Sequence, residues 1–162
     1  MRRKPVLRDD SGSSLVETAL VFPMFLAMLF GILQVGIYGW TVASFDNALV
    51  TASRKIRTGE SDGPTDAASF MNLICSNMIN PDCLSRLDVV VQSGGSAGQV
   101  TSAAQSPTAT PVFQPGSANS YVLVTATYAW PLTIPFVSLN YPQQNGQVLI
   151  TNRLLFKNEP YS

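Results

Sequence analysis

Histidine is missing from the chain altogether. With it go the commonest general base and the commonest zinc ligand, so no Ser-His-Asp, Cys-His or His-Glu-x-x-His constellation can be assembled. Cysteine is scarce: Cys75 and Cys83 are the only two, too few to hold a structural metal. In an exported region an even pair reads as one disulfide; two free buried thiols are the plainer alternative. Charge is thin as well, at 12% of residues with ten of each sign. No convergent cluster of Lys and Arg offers a surface for nucleic acid. Gly94-Gly95 leads into low complexity rather than a helix, so no phosphate loop is expected there. A carboxylate pair such as Asp82 and Asp88 has nothing around it to recommend catalysis. The sequence therefore predicts no enzyme, no cofactor and no metal.

The charges present are unevenly placed. Arg2, Arg3, Lys4 and Arg8 precede the first apolar run, whereas six basic and seven acidic residues are spread from Thr18 onward. From Thr18 to Phe45 the chain runs for 28 residues without a charged side chain. About 20 helical residues cross the roughly 30 Å of hydrocarbon in a bilayer. A soluble core helix rarely stays apolar on every face for so long. The run predicts a single membrane span over 13–45, after a basic leader over 1–12. A cleaved secretory signal fits poorly, because its apolar region is only about 7 to 15 residues. The basic tail favours a cytoplasmic N-terminus by the positive-inside rule. Arg54, Lys55 and Arg57 beyond the far end pull the other way, but the cysteine pair belongs in an oxidising compartment. Ala27, Gly31, Val35, Gly39 and Ala43 recur every four residues, a mostly small stripe of the kind that lets helices approach closely in lipid. Pro23, inside the run, is tolerated in membrane helices.

Glu17 immediately precedes the apolar run, where a carboxylate is costly unless it reaches water or a partner. The plain reading is an interfacial charge. The residues before it add another: Gly12, Ser13, Ser14, Leu15, Val16 and Glu17 follow a basic tail and lead into an apolar helix, the layout of a prepilin processing site. A peptidase cutting after Gly12 would leave Ser13 as a new N-terminus, and its amine could neutralise Glu17 of a neighbouring subunit.

Gly12, Ser13, Ser14, Val16, Glu17, Ala19, Leu20 and Pro23 together resemble the opening of TadE-like proteins of the tight-adherence (Flp-type) pilus system. Asn158, Glu159, Pro160 and Tyr161 are similar to the Asn-Glu-Pro-aromatic ending of many members. Thr18 stands where major pilins of that system carry an aromatic. The resemblance implies a pilin-like α+β fold and a minor pilin or pilus-assembly factor. Its partners would be the membrane, other pilins and assembly proteins, and a prepilin peptidase acting at Gly12.

Beyond the span, the exported part covers 46–162. Phe45, Leu49, Ala52 and Ile56 keep helical spacing, so the membrane helix is expected to run on to about Arg57. Turn formers from Gly59 to Pro64 end it. Thr65 is a candidate cap for a second amphipathic helix carrying Phe70, Leu73, Ile74 and Met78, stopped by Asn80-Pro81-Asp82. Strands are expected at Leu87–Gln92, Tyr121–Trp130 and Val148–Lys157, forming a small antiparallel sheet on the helix. Pro131, Pro135 and Pro142 predict an irregular crossing between the last two. The segment 93–118, rich in Gly, Ser, Ala, Thr, Gln and Pro, reads as a loop excursion. Two other functions fit the same layout: an anchored adhesin or ligand-binding head, and a pseudopilin of a general secretion system.

Overall fold

A computed structural model describes residues 11–78, 80, 82–103, 112–131, 143–144 and 146–161. The basic tail with Arg2, Arg3, Lys4 and Arg8 lies outside the described residues, as do Pro81, Pro135 and Pro142. The elements in chain order are α1 (Ser11–Thr58), α2 (Ala67–Ser76), α3 (Cys83–Arg86), β1 (Leu87–Gly94), α4 (Ala97–Ala103), β2 (Tyr121–Pro131), β3 (Gln143–Gln144) and β4 (Gln147–Lys157). This is the α+β architecture expected: a long apolar N-terminal helix, a short second helix and a small antiparallel sheet.

Two compact units divide the chain at Tyr38 and Gly39. The first contains the N-terminal part of α1, which passes through Pro23 as helix. Leu20, Met24 and Met28 are among its many widely exposed apolar side chains. Only 6% of the most apolar 18-residue window is buried, against the mostly buried surface of a soluble core helix. The helix is thus long and apolar enough to cross a membrane.

The second unit is built on the C-terminal part of α1. Phe45, Leu49, Ala52 and Ile56, the predicted stripe, are all buried, together with Ala48 and Ser53 between them. Asp46, Asn47, Arg54 and Arg57 face water. The sheet has the order β1-β2-β4-β3, antiparallel throughout, with β3 a two-residue pairing on the end of β4. Side chains alternate across it. Val122, Val124, Ala126 and Tyr128 of β2, Leu87, Val89 and Val91 of β1, and Val148 and Ile150 of β4 share the buried face. The Tyr128 ring meets Phe45 of α1 with 5.9 Å between centroids, which fixes α1 to that face. Burial raises the Tyr128 phenol above its ordinary value of 10.0, and Asn80 donates a hydrogen bond to its hydroxyl.

α2 is capped by Asp66 rather than by the expected Thr65. The Asp66 carboxylate accepts from the Ser69 backbone N–H at 2.7 Å, and Ser69 Oγ accepts from the Asp66 N–H, closing a reciprocal box. These bonds hold the Asp66 carboxyl below its ordinary value of 3.8. Phe70, Ile74 and Met78 are buried, and Phe70 touches the Phe113 ring at 6.0 Å.

The segment 93–118 departs from the loop reading. Its start completes β1 to Gly94, and Ala97–Ala103 forms α4, with Val100 buried against Gly94. Later, the Val91 N–H donates to Val112 O at 2.7 Å, and the Gln114 N–H donates to Val91 O at 2.9 Å. The segment thus lines the free edge of β1 in parallel at Phe113. Few apolar side chains suffice because backbone pairing to a formed strand supplies the rest. Residues 104–111 lie outside the described residues. Pro131 also proves compatible with a strand, as the last residue of β2, opposite Gln147.

Candidate functional site

The features singled out by sequence fall in separate places. Gly12 and Ser13 belong to the first turn of α1, which begins at Ser11. Glu17 follows within the same helix and is exposed. With Thr18, Val21, Phe22 and Phe25 it lines an open groove of about 380 Å³ along one helix face. The carboxylate therefore heads an apolar stripe, and no cation among the described residues pairs with it. Thr18, the departure from the aromatic, turns its hydroxyl inward to donate to Ser14 O at 2.8 Å. Its polar atom is satisfied by its own helix, so it adds little polarity to the groove. In the small-residue stripe, a Cβ placed on Gly31 or Gly39 would meet nothing within 4 Å.

Cys75 and Cys83 are joined as a disulfide, with Cα atoms 5.6 Å apart. The bridge links the last turn of α2 to the start of α3, leading directly into β1. Cys83 Sγ also lies against Met78 Sδ at 3.7 Å, in the buried core.

The Asn-Glu-Pro-Tyr ending has a role that the sequence did not disclose. The Glu159 N–H donates to Arg57 O at 2.9 Å, satisfying a carbonyl at the exposed C-terminal end of α1. The Arg57 and Glu159 side chains pair at 3.2 Å. Asn158 is 2% exposed, and its Nδ2 lies 2.9 Å from Pro115 O and 3.1 Å from Ser117 O. Tyr161 lies against Gly59, where a Cβ would come within 2.5 Å of its ring; Gly59 also has φ +63. The tail is thus a clasp across the end of α1 and the 115–120 turn. Lys55 is likewise occupied, by Asp62 at 2.6 Å, and that bond holds the Asp62 carboxyl low. Two of the three basic residues just beyond the apolar run, Lys55 and Arg57, are therefore ion-paired within the folded head.

Among the described residues no group of three or more His, Cys, Asp or Glu is placed to hold a metal. Asp82 binds Arg86 at 3.2 Å. The α4 helix after Gly94-Gly95 is seven residues long, one of which, Val100, is buried apolar packing.

The family model of TadE-like proteins matches residues 12–54. Over this N-terminal region the chain is similar to TadE-like proteins. The match covers Glu17, the whole apolar run and the first buried turns of α1 in the head, and it stops before α2. No curated protein and no solved structure matches the chain. A TadE-like helix of membrane-spanning length followed by a helix-on-sheet head is a general pilin or pseudopilin layout.

Proposed function

We propose that this chain is a membrane-anchored minor pilin or assembly factor of a tight-adherence (Flp-type) pilus machine, working by helix packing and subunit contacts rather than by catalysis. One observation carries the reading: the TadE-like match falls on the helix whose apolar side chains are left exposed. In this reading the span lies in a bacterial inner membrane. The N-terminus is cytoplasmic and the head is outside, where its disulfide is stable. Trp40, 69% exposed, sits at the outer interface, as tryptophan prefers. Counting back about 30 Å at 1.5 Å per residue reaches Leu20, so Glu17 lies about one turn below the hydrocarbon, in the inner headgroup layer. There it costs little. It becomes costly when the subunit moves outward, unless a neighbour's new N-terminal amine meets it.

Processing after Gly12 by a prepilin peptidase supplies that amine at Ser13. Intact-mass analysis of the membrane-extracted protein tests this step: the account expects a chain beginning at Ser13, and Gly12→Ala should restore the leader. Topology is tested separately. A cysteine introduced at Gln114, an exposed position in the head, should react with a membrane-impermeant maleimide in intact spheroplasts. Labelling only after lysis would reverse the orientation.

A further inference from the structure

Within the second unit a recess of about 330 Å³ is lined by Trp40, Ala43, Ser44, Asn47 and Asn77. Its volume is at the lower end of small-ligand sites. Asn77 is the C-cap of α2, so the recess adjoins the negative end of a ten-residue helix dipole. No basic side chain lies in the last turn of α2 to offset that end. The Asn77 amide nitrogen donates to Leu73 O at 2.8 Å, which leaves its carbonyl oxygen as the acceptor still available. Ser44 and Asn47 contribute further side-chain oxygens, and the exposed Trp40 ring offers a π face to a cation. The helix end, the Trp40 face and the Asn77 oxygen favour positive charge in this uncharged recess, and no Lys or Arg lines it to hold a phosphate.

We propose that this recess binds the ammonium headgroup of a membrane phospholipid, specifically a primary ammonium of the phosphatidylethanolamine type. Lipid is the occupant because Trp40 ends the run of exposed apolar side chains that starts at Leu15, and the recess begins at that residue. A primary ammonium has three N–H donors for the oxygens of Ser44, Asn47 and Asn77. A quaternary ammonium has none and keeps only the contact with Trp40. The head would thereby be seated at the outer leaflet through lipid chemistry as well as through its anchor. The proposal rests on α1 being a membrane span.

The test is native mass spectrometry of the full chain released from nanodiscs containing equal parts phosphatidylethanolamine, phosphatidylcholine and phosphatidylglycerol. Retained lipid should be enriched in phosphatidylethanolamine about two- to five-fold over the mixture, the scale of an exposed cation–π contact with accompanying hydrogen bonds. Trp40→Leu and Asn47→Leu, both at exposed positions, should return the ratio to that of the mixture. The disulfide, checked by peptide mapping, reports that each variant is folded. Retained lipid matching the mixture, enrichment of phosphatidylglycerol, or enrichment unchanged in both variants would overturn the proposal while leaving the anchor intact. Failure of the wild-type chain to float with vesicles would overturn the span and the proposal together.

Discussion

Asn158 shows what a single polar residue contributes when it is buried. Its amide nitrogen lies within 3.4 Å of four oxygens, those of Pro115, Ser117, Ser120 and Tyr161. An amide carries two N–H donors, so the two nearest carbonyls hold it and the hydroxyls orient around it. Asn158→Ala would leave the Pro115 carbonyl without this donor, while Ser117 O keeps the Ser120 N–H and hydroxyl. The expected loss is about 1 to 2 kcal/mol, read from thermal unfolding of the detergent-solubilised chain. Asn158→Asp should do no better, because a carboxylate would face those carbonyls with no proton to give. The sequence marks Asn158 only as part of the Asn-Glu-Pro-Tyr ending and discloses no partner for it. Its importance comes from a turn some forty residues earlier, and only the folded chain brings the two together. Glu17, by contrast, stood out from the sequence because a charge beside a long apolar run breaks a strong pattern.

Among the elements, α1 was the most legible and α4 the least. The spacing of Phe45, Leu49, Ala52 and Ile56 repeats over three turns, so both the helix and its buried face followed from period alone. α4 has one buried apolar side chain, Val100, and no period can be read from one residue. The cap of α2 was misplaced by one position because Thr65 and Asp66 are both good capping residues; the Ser69 box decides for Asp66. That cap titrates. The folded-state pKa of Asp66 lies below 3.8, so its contribution is complete above that value and is lost as pH falls through the lower, folded one. The protection factor of the Ser69 amide, its exchange rate corrected for the intrinsic rate at each pH, should fall over that acid window, and Asp66→Asn should remove that fall. The other end of α2 is pinned by the Cys75–Cys83 bridge across a separation of eight residues. By the loop-entropy relation it contributes roughly 2 to 3 kcal/mol. Cys75→Ser should lower the unfolding free energy by about that amount, and reductant should do the same to the wild-type chain but nothing to the variant.

For the molecule as a whole, sequence and structure agree on an exposed apolar helix and a sheet-bearing head. The pilus role lies one step beyond that layout. It joins the TadE-like match over 12–54 to a carboxylate heading an apolar groove on that same helix. If Glu17 is only an interfacial charge, replacing it with an amide changes nothing that matters, since an amide is cheaper in lipid. If it meets a partner's amine during assembly, the same replacement removes the pairing and leaves the anchor untouched. The deciding measurement is therefore the yield of pili sheared from cells carrying Glu17→Gln, taken alongside the amount of the protein in their membrane fraction. The account expects a normal amount in the membrane and pili reduced at least tenfold, the loss of about 1.4 kcal/mol or more of assembly free energy. A wild-type yield of pili from those cells would contradict it.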